Sequence, residues 1–428
     1  MEKISVLTQY KPRVIDKMVE RYLSTFGAVC IEGPKWCGKT WTSSFHSKSE
    51  FLIGDPTNNF QNRALAEMSQ ETVLRGENPR LIDEWQDVPS IWDAVRYMVD
   101  KSGKKGQFIL TGSSTPTRKG ILHSGAGRIG KLRMRTMSLY EAGLSSGLVS
   151  LQALCNNKIE SCLTGDVHLG DLATYIVRGG WPGNLHTAIE DISLLPKAYL
   201  DAILEDDSQR IDNKKYNVSK MRLLLRSLAR NESTTATKKK LLDDIKASDE
   251  ETVDEDTITT YLDVFNRLFL IDNQLPFSTN IRSSSRVKQA EKRHFCDPSL
   301  ACSLLKLTPD MLIGDLQTFG FMFEALVERD LKIYSEAFDA NVFHYQDYDN
   351  KEIDAVIELK DGSWCAFEIK LGANQIDKAA SNLIELKEKI ERNGGKAPSV
   401  LCVVCGLSNA VYQRTDGVYV VPPTALRP

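Results

Sequence analysis

The feature that most constrains this chain is the octapeptide GPKWCGKT at residues 33–40, which fits the spacing GxxxxGK[ST] at every required position. The apolar residues AVCI at 28–31 precede it, so the sequence predicts a strand, a phosphate-binding loop and a helix in that order. Lys39 is expected to reach the terminal phosphates and the Thr40 hydroxyl to ligate Mg²⁺. We therefore expect ATP and Mg²⁺ as cofactors. The predicted nucleotide-binding residues are Gly33, Pro34, Lys35, Trp36, Cys37, Gly38, Lys39 and Thr40.

Such a loop needs an acidic partner at the end of a neighbouring strand. The segment RLIDE at 80–84 supplies one. We expect Asp83 to hold the Mg²⁺ and Glu84 to polarise an attacking water, which predicts ATP hydrolysis. The alternative interpretation is a solvated acidic loop.

A third strand-like run, QFILTGSS at 107–114, ends in small hydroxyl residues. Thr111 and Ser113 are candidate sensors of the terminal phosphate, although hydroxyl groups at the end of a strand are also common turn chemistry. Arg128, in the segment GAGR, is a candidate arginine finger acting in cis or in a neighbouring subunit. Arg133 and Arg135 compete with it for this role, and a surface ion pair is the alternative.

These blocks, together with YIVRGGWP at 175–182, resemble the prokaryotic AAA-type ATPases whose C-terminal half is an uncharacterised domain with a nuclease-like fold. The resemblance covers nearly the whole chain. It implies an α/β multidomain protein with a P-loop NTPase parallel sheet, a winged-helix middle domain and a restriction-endonuclease-like C-terminal α/β domain. We place these domains at residues 1–195, 196–312 and 313–428.

The middle segment carries local charge. Residues 210–240 hold ten Lys or Arg, residues 241–256 are acidic, and residues 280–293 hold five cations against one acid. The helix predicted at 257–268 has Arg267 as its only cation, so the two basic segments are the better candidates for gripping the phosphates of DNA. The alternative is that the basic residues are solvated or pair with the acidic run.

The C-terminal segment predicts a β-hairpin over residues 353–370. Matching the apolar faces of its strands favours a three-residue loop at 361–363, which sets Asp354 opposite Lys370 with Glu368 beside it. A PD-(D/E)xK nuclease needs this set: Asp354 and Glu368 as Mg²⁺ ligands and Lys370 to orient or deprotonate a water, with Glu324 adding a carboxylate. The family resemblance carries over to these four positions. The alternative is a polar face that only forms ion pairs or binds DNA uncut.

The amino-acid composition excludes few classes of protein. The formal net charge of −3 argues against a dedicated nucleic-acid coat protein, and the absence of a long apolar run argues against a membrane protein. Nine scattered cysteines favour reduced thiols and a cytoplasmic location. Our first hypothesis is an ATPase that couples nucleotide state to a winged-helix and nuclease-like module acting on DNA. The second is a nucleotide switch that binds a protein partner, and an arginine finger in trans would require a homo-oligomer.

Overall fold

The computed structural model describes residues 9–115, 122–211, 214–248, 253–277, 290–347 and 351–428. These residues form two compact units. The first unit comprises Met1–Thr136, Ile203–Tyr216 and Asp263–Leu270, and the second comprises Met137–Ala202, Asn217–Leu262 and Ile271–Pro428. The chain therefore returns twice to the first unit, whereas the three predicted domains were contiguous segments; their boundaries stay a prediction.

The first unit is built on a parallel five-stranded sheet, as the sequence predicted. Its strands lie in the order β2-β3-β4-β1-β5, and every neighbouring pair is parallel. In chain order its elements are α1 (Asp16–Thr25), β1 (Ala28–Glu32), α2 (Lys39–His46), β2 (Ser49–Leu52), α3 (Thr57–Met68), α4 (Gln70–Leu74), β3 (Arg80–Asp83), α5 (Ser90–Ser102), β4 (Phe108–Gly112) and β5 (Ile129–Arg133).

Alternate residues of strand β1 face opposite sides of this sheet, as the pleat requires. Ala28 and Cys30 belong to the apolar cluster that includes helix α5, while Val29 and Ile31 belong to the cluster that includes helix α1. Helices thus cover both faces, which explains the continuous apolar run in the central strand. This burial fixes the carboxyl ends of β1, β3 and β4 as one rigid edge.

The second unit contains a mixed eight-stranded sheet in the order β7-β13-β14-β12-β11-β10-β9-β8 and a two-stranded pair of β6 with β15. Its elements up to residue 276 are β6 (Val149–Ser150), α6 (Leu151–Cys155), β7 (Cys162–Leu163), α7 (Leu169–Arg178), α8 (Leu194–Ala202), α10 (Val218–Arg230), α11 (Lys238–Ser248), α12 (Glu255–Arg267) and β8 (Leu275–Pro276). Helix α9 (Ser208–Arg210) and the last residues of α12 lie in the first unit.

The remaining elements of the second unit follow residue 297. They are α13 (Pro298–Leu305), α14 (Pro309–Gly314), α15 (Leu316–Glu336), β9 (Asn341–Gln346), β10 (Glu352–Glu358), β11 (Trp364–Lys370), α16 (Ile376–Arg392), β12 (Val400–Cys405), β13 (Ala410–Gln413), β14 (Tyr419–Val421) and β15 (Leu426–Arg427). Among the residues that the structure describes, no helix combines the length and apolar character needed to span a bilayer.

The hairpin of β10 and β11 has the predicted loop length but a different register. Glu358 pairs with Trp364, and the Leu359 N–H donates to the Ser363 carbonyl, so the loop is 360–362. The predicted pairing was therefore wrong by one loop position, and the observed register sets Asp354 opposite Glu368 rather than Lys370. The reason is Gly362, whose φ of 72° supplies the left-handed last residue that a three-residue hairpin loop requires.

The polar face predicted for this hairpin is also largely apolar. Val356, Trp364 and Ala366, which lie on the same face as the predicted site residues, pack in one buried cluster with helix α16. Both faces of the strands are therefore buried, and Asp354, Glu368 and Lys370 lie toward one end of the hairpin.

Candidate functional site

The phosphate-binding loop lies between strand β1 and helix α2, as predicted. Trp36 and Gly38 have φ values of 63° and 105°, which turn the loop back on itself at the start of the helix. Gly33 must be glycine, because a Cβ atom there would lie 2.1 Å from the Met134 carbonyl oxygen. The N-terminus of α2 therefore faces the loop with its unpaired backbone N–H groups, an arrangement that favours phosphate.

Lys39 and Thr40 begin helix α2. The Lys39 ammonium donates to the Pro34 carbonyl at 2.8 Å inside the loop. The Thr40 hydroxyl donates to Asp83 Oδ1 at 3.0 Å, and Asp83 is the last residue of β3. The structure thus brings together Thr40 and Asp83, the two side chains predicted to hold Mg²⁺. Burial raises the pKa of Asp83, and the hydrogen bonds from Thr111 and Thr40 oppose that rise.

Glu84 is held by donors from the neighbouring strand. Its Oε2 accepts from the Ser113 hydroxyl at 2.7 Å, from the Ser113 N–H at 3.3 Å and from the Gln86 side-chain amide. The Glu84 N–H donates to the Thr111 hydroxyl at 2.9 Å, and that hydroxyl donates to Asp83 Oδ1. Both predicted sensor residues therefore lie against the predicted acids rather than acting as turn residues alone.

Two observations at this edge were not predicted. Glu84 has a φ of 57°, in the left-handed region that non-glycine residues rarely adopt, and such backbone strain tends to cluster at functional sites. Gln86 donates both to Glu84 and to the Ser113 hydroxyl at 3.2 Å. Its position two residues after Glu84, in the turn that follows β3, was the available sequence signal.

Arg128 is placed differently from the prediction of a finger in cis. Its guanidinium pairs with Asp100 on helix α5 at 2.8 Å and lowers the pKa of that carboxyl. Arg133 lies over the Phe269 ring, and the Arg135 carbonyl accepts from Arg13. The surface ion pair, the alternative interpretation, describes Arg128 in this structure.

A polar cavity of about 230 Å³ lies beside Glu84 within the first unit. It is lined by the ends of β3 and β4, by the phosphate-binding loop, and by segments 203–216 and 263–270. Across it the Lys35 ammonium pairs with Asp207 at 2.6 Å. The lining residues are Lys35, Glu84, Gln86, Asp87, Ser113, Ser114, Asp207, Ile211 and Leu268.

Comparisons with known proteins identify a domain family for the sheet of the first unit. Residues 25–143 match a family model described as an AAA domain. These residues form an AAA-type ATPase domain. Residues 169–311 and 319–426 match two families described only as domains of unknown function. No curated protein matches the chain.

Solved structures resemble the chain only distantly. A Walker-type ATPase of Pyrococcus abyssi is 13% identical with a TM-score of 0.43, and the match covers 70% of this chain and 99% of that chain. The RuvB Holliday junction branch migration motor of Thermotoga maritima is 15% identical with a TM-score of 0.27 and coverages of 62% and 93%. The Orc1 protein of Aeropyrum pernix in complex with DNA is 12% identical with a TM-score of 0.23 and coverages of 73% and 98%.

A charged cluster lies at the predicted C-terminal site in the second unit. The Lys370 ammonium lies 2.8 Å from Asp354 Oδ2 and 2.5 Å from Glu368 Oε2, and Asp354 Oδ2 also accepts from the Ile369 N–H. Asp354, Glu368 and Lys370 line a cavity of about 350 Å³. The structure therefore brings together the three predicted hairpin residues.

Lys292 also belongs to this cluster. The sequence did not lead us to predict it there. Its side chain is 2% exposed, and its ammonium lies 2.6 Å from Glu324 Oε1 and 3.8 Å from Asp354 Oδ1. The sequence interpretation placed it among phosphate-gripping cations, which its burial contradicts. Arg293 is also largely buried and donates to the Ala236 carbonyl. The other cations of the 280–293 segment lie outside the described residues.

Burial shifts the pKa values of two of the three acids in the cluster upward. It raises the pKa of Glu368 to about 8, with Asp354 adding to the rise, and the pKa of Glu324 to about 7. At Asp354 burial is outweighed by Lys370 and Lys292, which together lower the pKa. Two lysines thus lie among three carboxylates, and within the described part of the chain no group of three or more His, Cys, Asp or Glu side chains is arranged to hold a metal.

Some of the cations in the basic 210–240 segment form ion pairs. Arg222 pairs with Asp201 and Arg230 with Asp244, the latter in the acidic run, as the alternative interpretation expected. Exposed cations of the second unit in this segment are Arg226, Arg230, Lys239 and Lys240, of which Arg230 is the one paired with Asp244. Arg267 donates to the Thr115 and Ile211 carbonyls within the first unit.

Proposed function

We propose that the ATPase domain hydrolyses ATP with Mg²⁺, using Glu84 to polarise the attacking water. The observation that carries this proposal is the hydrogen-bonded series from Thr40 to Asp83 to Thr111, with Glu84 fixed beside it by Ser113 and Gln86. A solvated acidic loop would not be expected to receive five directed hydrogen bonds on its two acids.

The donor set fits Mg²⁺, because a hydroxyl and a carboxylate converge at the start of helix α2 and Mg²⁺ prefers oxygen ligands. Thr40 and Asp83 would hold the ion, and bound Mg²⁺ neutralises charge on the phosphate oxygens. Lys39 exchanges its bond to the Pro34 carbonyl for phosphate oxygens. Thr111 and Ser113 keep the two acids in place, and Ser113 also orients the Glu84 carboxylate.

Nucleotide binding and phosphate release by the full chain test this proposal. Lys39→Ala should remove ATP binding, because the loop loses its buried cation. Lys48→Ala removes an exposed lysine just outside helix α2 and serves as the matched control. Glu84→Gln should keep ATP binding and slow turnover about 10²- to 10⁴-fold, the usual contribution of a general base. An undiminished rate in Glu84→Gln would refute the assigned base.

We further propose that the nucleotide state is coupled to DNA binding by the second unit. The order of its elements supports a winged helix: α10, a bridge at Thr234, α11, α12, and then two extended segments bridged at Ile271–Phe295 and Gln274–Lys292. Exposed Arg226, Lys239 and Lys240 would supply contacts to phosphates.

Adding duplex DNA to the ATPase assay separates this proposal from the alternative of a protein partner. DNA should change turnover, and Lys239→Ala/Lys240→Ala should weaken binding and reduce its dependence on salt. Lys378→Ala/Lys387→Ala on helix α16 removes the same charge elsewhere and should leave DNA binding unchanged. Unchanged turnover without salt-sensitive binding would favour the protein partner.

A second candidate function is nucleic-acid cleavage at the Asp354 cluster, favoured by the convergence of Asp354, Glu368 and Lys370 on one cavity. As arranged, the residues do not fit a metal ion, because the Lys370 ammonium lies on both carboxylates. A nicking assay with Mg²⁺ or Mn²⁺ tests the candidate: Asp354→Ala should abolish any nick, and a nick that survives would exclude this site.

A further inference from the structure

The Lys35–Asp207 ion pair lies at the cavity beside Glu84 and the phosphate-binding loop. Lys35 is in the phosphate-binding loop, and Asp207 is the last residue of a π-helical turn at Ile203–Asp207 within the first unit. Both line the cavity that also contains Glu84 and Ser113. If the proposed function is correct, this cavity receives the terminal phosphate and the attacking water.

The motif does not account for Lys35. The GxxxxGK[ST] spacing requires Lys39, which is buried against the Pro34 carbonyl, whereas the residue at position 35 is unconstrained. The Lys35 side chain is 37% exposed and the Asp207 side chain 12% exposed. Lys35 can therefore move, while Asp207 is held by its turn.

That turn is well anchored. Ile203 and Leu204 are buried, and the Ser208 hydroxyl donates to the Leu204 carbonyl at 2.8 Å. A π-helical turn is uncommon and tends to occur at functional sites. The buried side of the turn fixes the segment, so the Asp207 carboxylate is presented to the cavity at a defined position.

The charges of the cavity make the ion pair dependent on the ligand. Among the described residues, its lining carries the carboxyl side chains of Glu84, Asp87 and Asp207 and one cationic side chain, Lys35. A terminal phosphate entering this cavity adds negative charge next to Asp207, and it offers Lys35 a second anionic partner. ADP lacks the group that would compete.

We propose that Lys35 is a sensor of the terminal phosphate and that Asp207 is its competing partner. ATP then draws the Lys35 ammonium from Asp207, while ADP leaves the ion pair in place. Asp207 is a positioning residue, since it acts through Lys35. The inference rests on the proposed function, because it requires ATP at the phosphate-binding loop.

Hydrogen bonds within the first unit connect the segment that follows Asp207 to the end of strand β4. Ile211, four residues after Asp207, accepts a hydrogen bond from Arg267, and Arg267 also donates to the Thr115 carbonyl. The Thr115 N–H donates back to the Arg267 carbonyl at 2.9 Å. When Lys35 leaves Asp207, the segment that contains Asp207 loses one contact. This segment is hydrogen-bonded through Arg267 to the end of strand β4, next to Ser113.

The exchange, in which Lys35 leaves Asp207 for the terminal phosphate, is tested by calorimetry in the presence of Mg²⁺. The experiment measures how tightly the full chain binds ADP and a non-hydrolysable ATP analogue. Asp207→Asn keeps the side-chain shape and should tighten binding of the ATP analogue about fivefold, the upper range for a partly exposed ion pair. ADP binding should change less than about twofold. Lys35→Met should weaken the ATP analogue and leave ADP unchanged.

Two controls separate the exchange from general charge effects. Asp206→Asn removes an exposed carboxylate one residue earlier and should alter neither ligand. In a Lys35→Met background, Asp207→Asn should lose more than half of its effect. A full effect in that background would mean that Asp207 only repels phosphate, and this would overturn the exchange.

The remaining outcomes are equally decisive. An unchanged ratio of ATP-analogue to ADP affinity in Asp207→Asn, or an equal change for both ligands, overturns the exchange while leaving ATP binding intact. If the unmodified chain binds neither nucleotide, the proposed function is refuted and the exchange with it. Melting temperatures of all variants identify any loss of fold.

Discussion

The Thr111 hydroxyl lies 2.6 Å from Asp83 Oδ1. The Thr111 hydroxyl oxygen also accepts a hydrogen bond from the Glu84 N–H at 2.9 Å, so one side chain contacts both acids of the ATPase domain. Thr111 is fully buried at the end of strand β4, and its position is set by the parallel pairing of β3 with β4. The proposed metal-binding acid, Asp83, and the proposed general base, Glu84, are therefore positioned by the neighbouring strand rather than by their own turn.

We predict that Thr111→Val slows ATP turnover about 10- to 100-fold. Valine keeps the volume but removes the shorter of the two hydroxyl donors to Asp83 Oδ1 and leaves the Glu84 N–H without the Thr111 acceptor, and hydrogen bonds to charged groups contribute about 1.5 to 3 kcal/mol each. Phosphate release measured at saturating ATP checks the prediction. Thr111→Ser keeps the hydroxyl and should retain most of the rate, and equal losses in both variants would contradict the role given to the hydroxyl.

We predict that Gln86→Leu lowers turnover about tenfold with little change in nucleotide affinity. The amide donates to both Glu84 and Ser113, so its loss frees the Glu84 carboxylate, the proposed general base, without touching the phosphate-binding loop. A charge-assisted hydrogen bond of about 1.4 kcal/mol corresponds to this factor. Steady-state kinetics separate the two effects, and a raised KM with an unchanged kcat would exclude this function for Gln86.

A third prediction concerns the buried ion pair of Lys292 and Glu324. Lys292→Met should lower the free energy of unfolding by about 3 kcal/mol, because removal of one partner leaves a buried carboxylate unpaired. Urea denaturation at pH 8, above the pKa of about 7 for Glu324, measures this loss. The double variant Lys292→Met/Glu324→Leu should recover more than half of it, and additive losses would show that the two side chains are not coupled.

The residues of the proposed ATPase site could be grouped from the sequence because their determinants are local. The loop at 33–40, the acids at 83–84 and the hydroxyls at 111 and 113 each follow a short apolar strand, and parallel strands bring their carboxyl ends together. Charge alone could not place Lys292, since a lysine in a Ser-rich basic run gives no sign that its ammonium is buried against Glu324.

The rest of the architecture depended on long-range packing. Segments 203–216 and 263–270 return to the first unit, and nothing in their composition distinguishes them from the surrounding helices. Asp207 therefore became a candidate only through its contact with Lys35. The hairpin register could have been predicted from the sequence, because placing Gly362 at the left-handed loop position would have given the observed pairing.

The last prediction is a loss of stability in mild acid that depends on His344. This histidine is buried in strand β9, where its Nε2–H donates to the Ala290 carbonyl at 3.1 Å. Burial, assisted by Lys292, lowers the pKa of His344 to about 4. The unfolded chain takes up a proton at this residue below about pH 6.5, whereas the folded chain stays neutral until about pH 4, so a falling pH favours unfolding. Between pH 7 and pH 5 this residue should cost about 2 kcal/mol of unfolding free energy.

His344→Gln tests this directly, because glutamine can donate to the same carbonyl and does not titrate. The variant should lose less stability than the unmodified chain between pH 7 and pH 5 in urea denaturation, by about 2 kcal/mol. His294, whose pKa burial also lowers, remains in both proteins, so its contribution cancels in the comparison. Parallel pH profiles for the two proteins would mean that His344 is protonated in the folded chain or that the unfolded chain does not gain its proton.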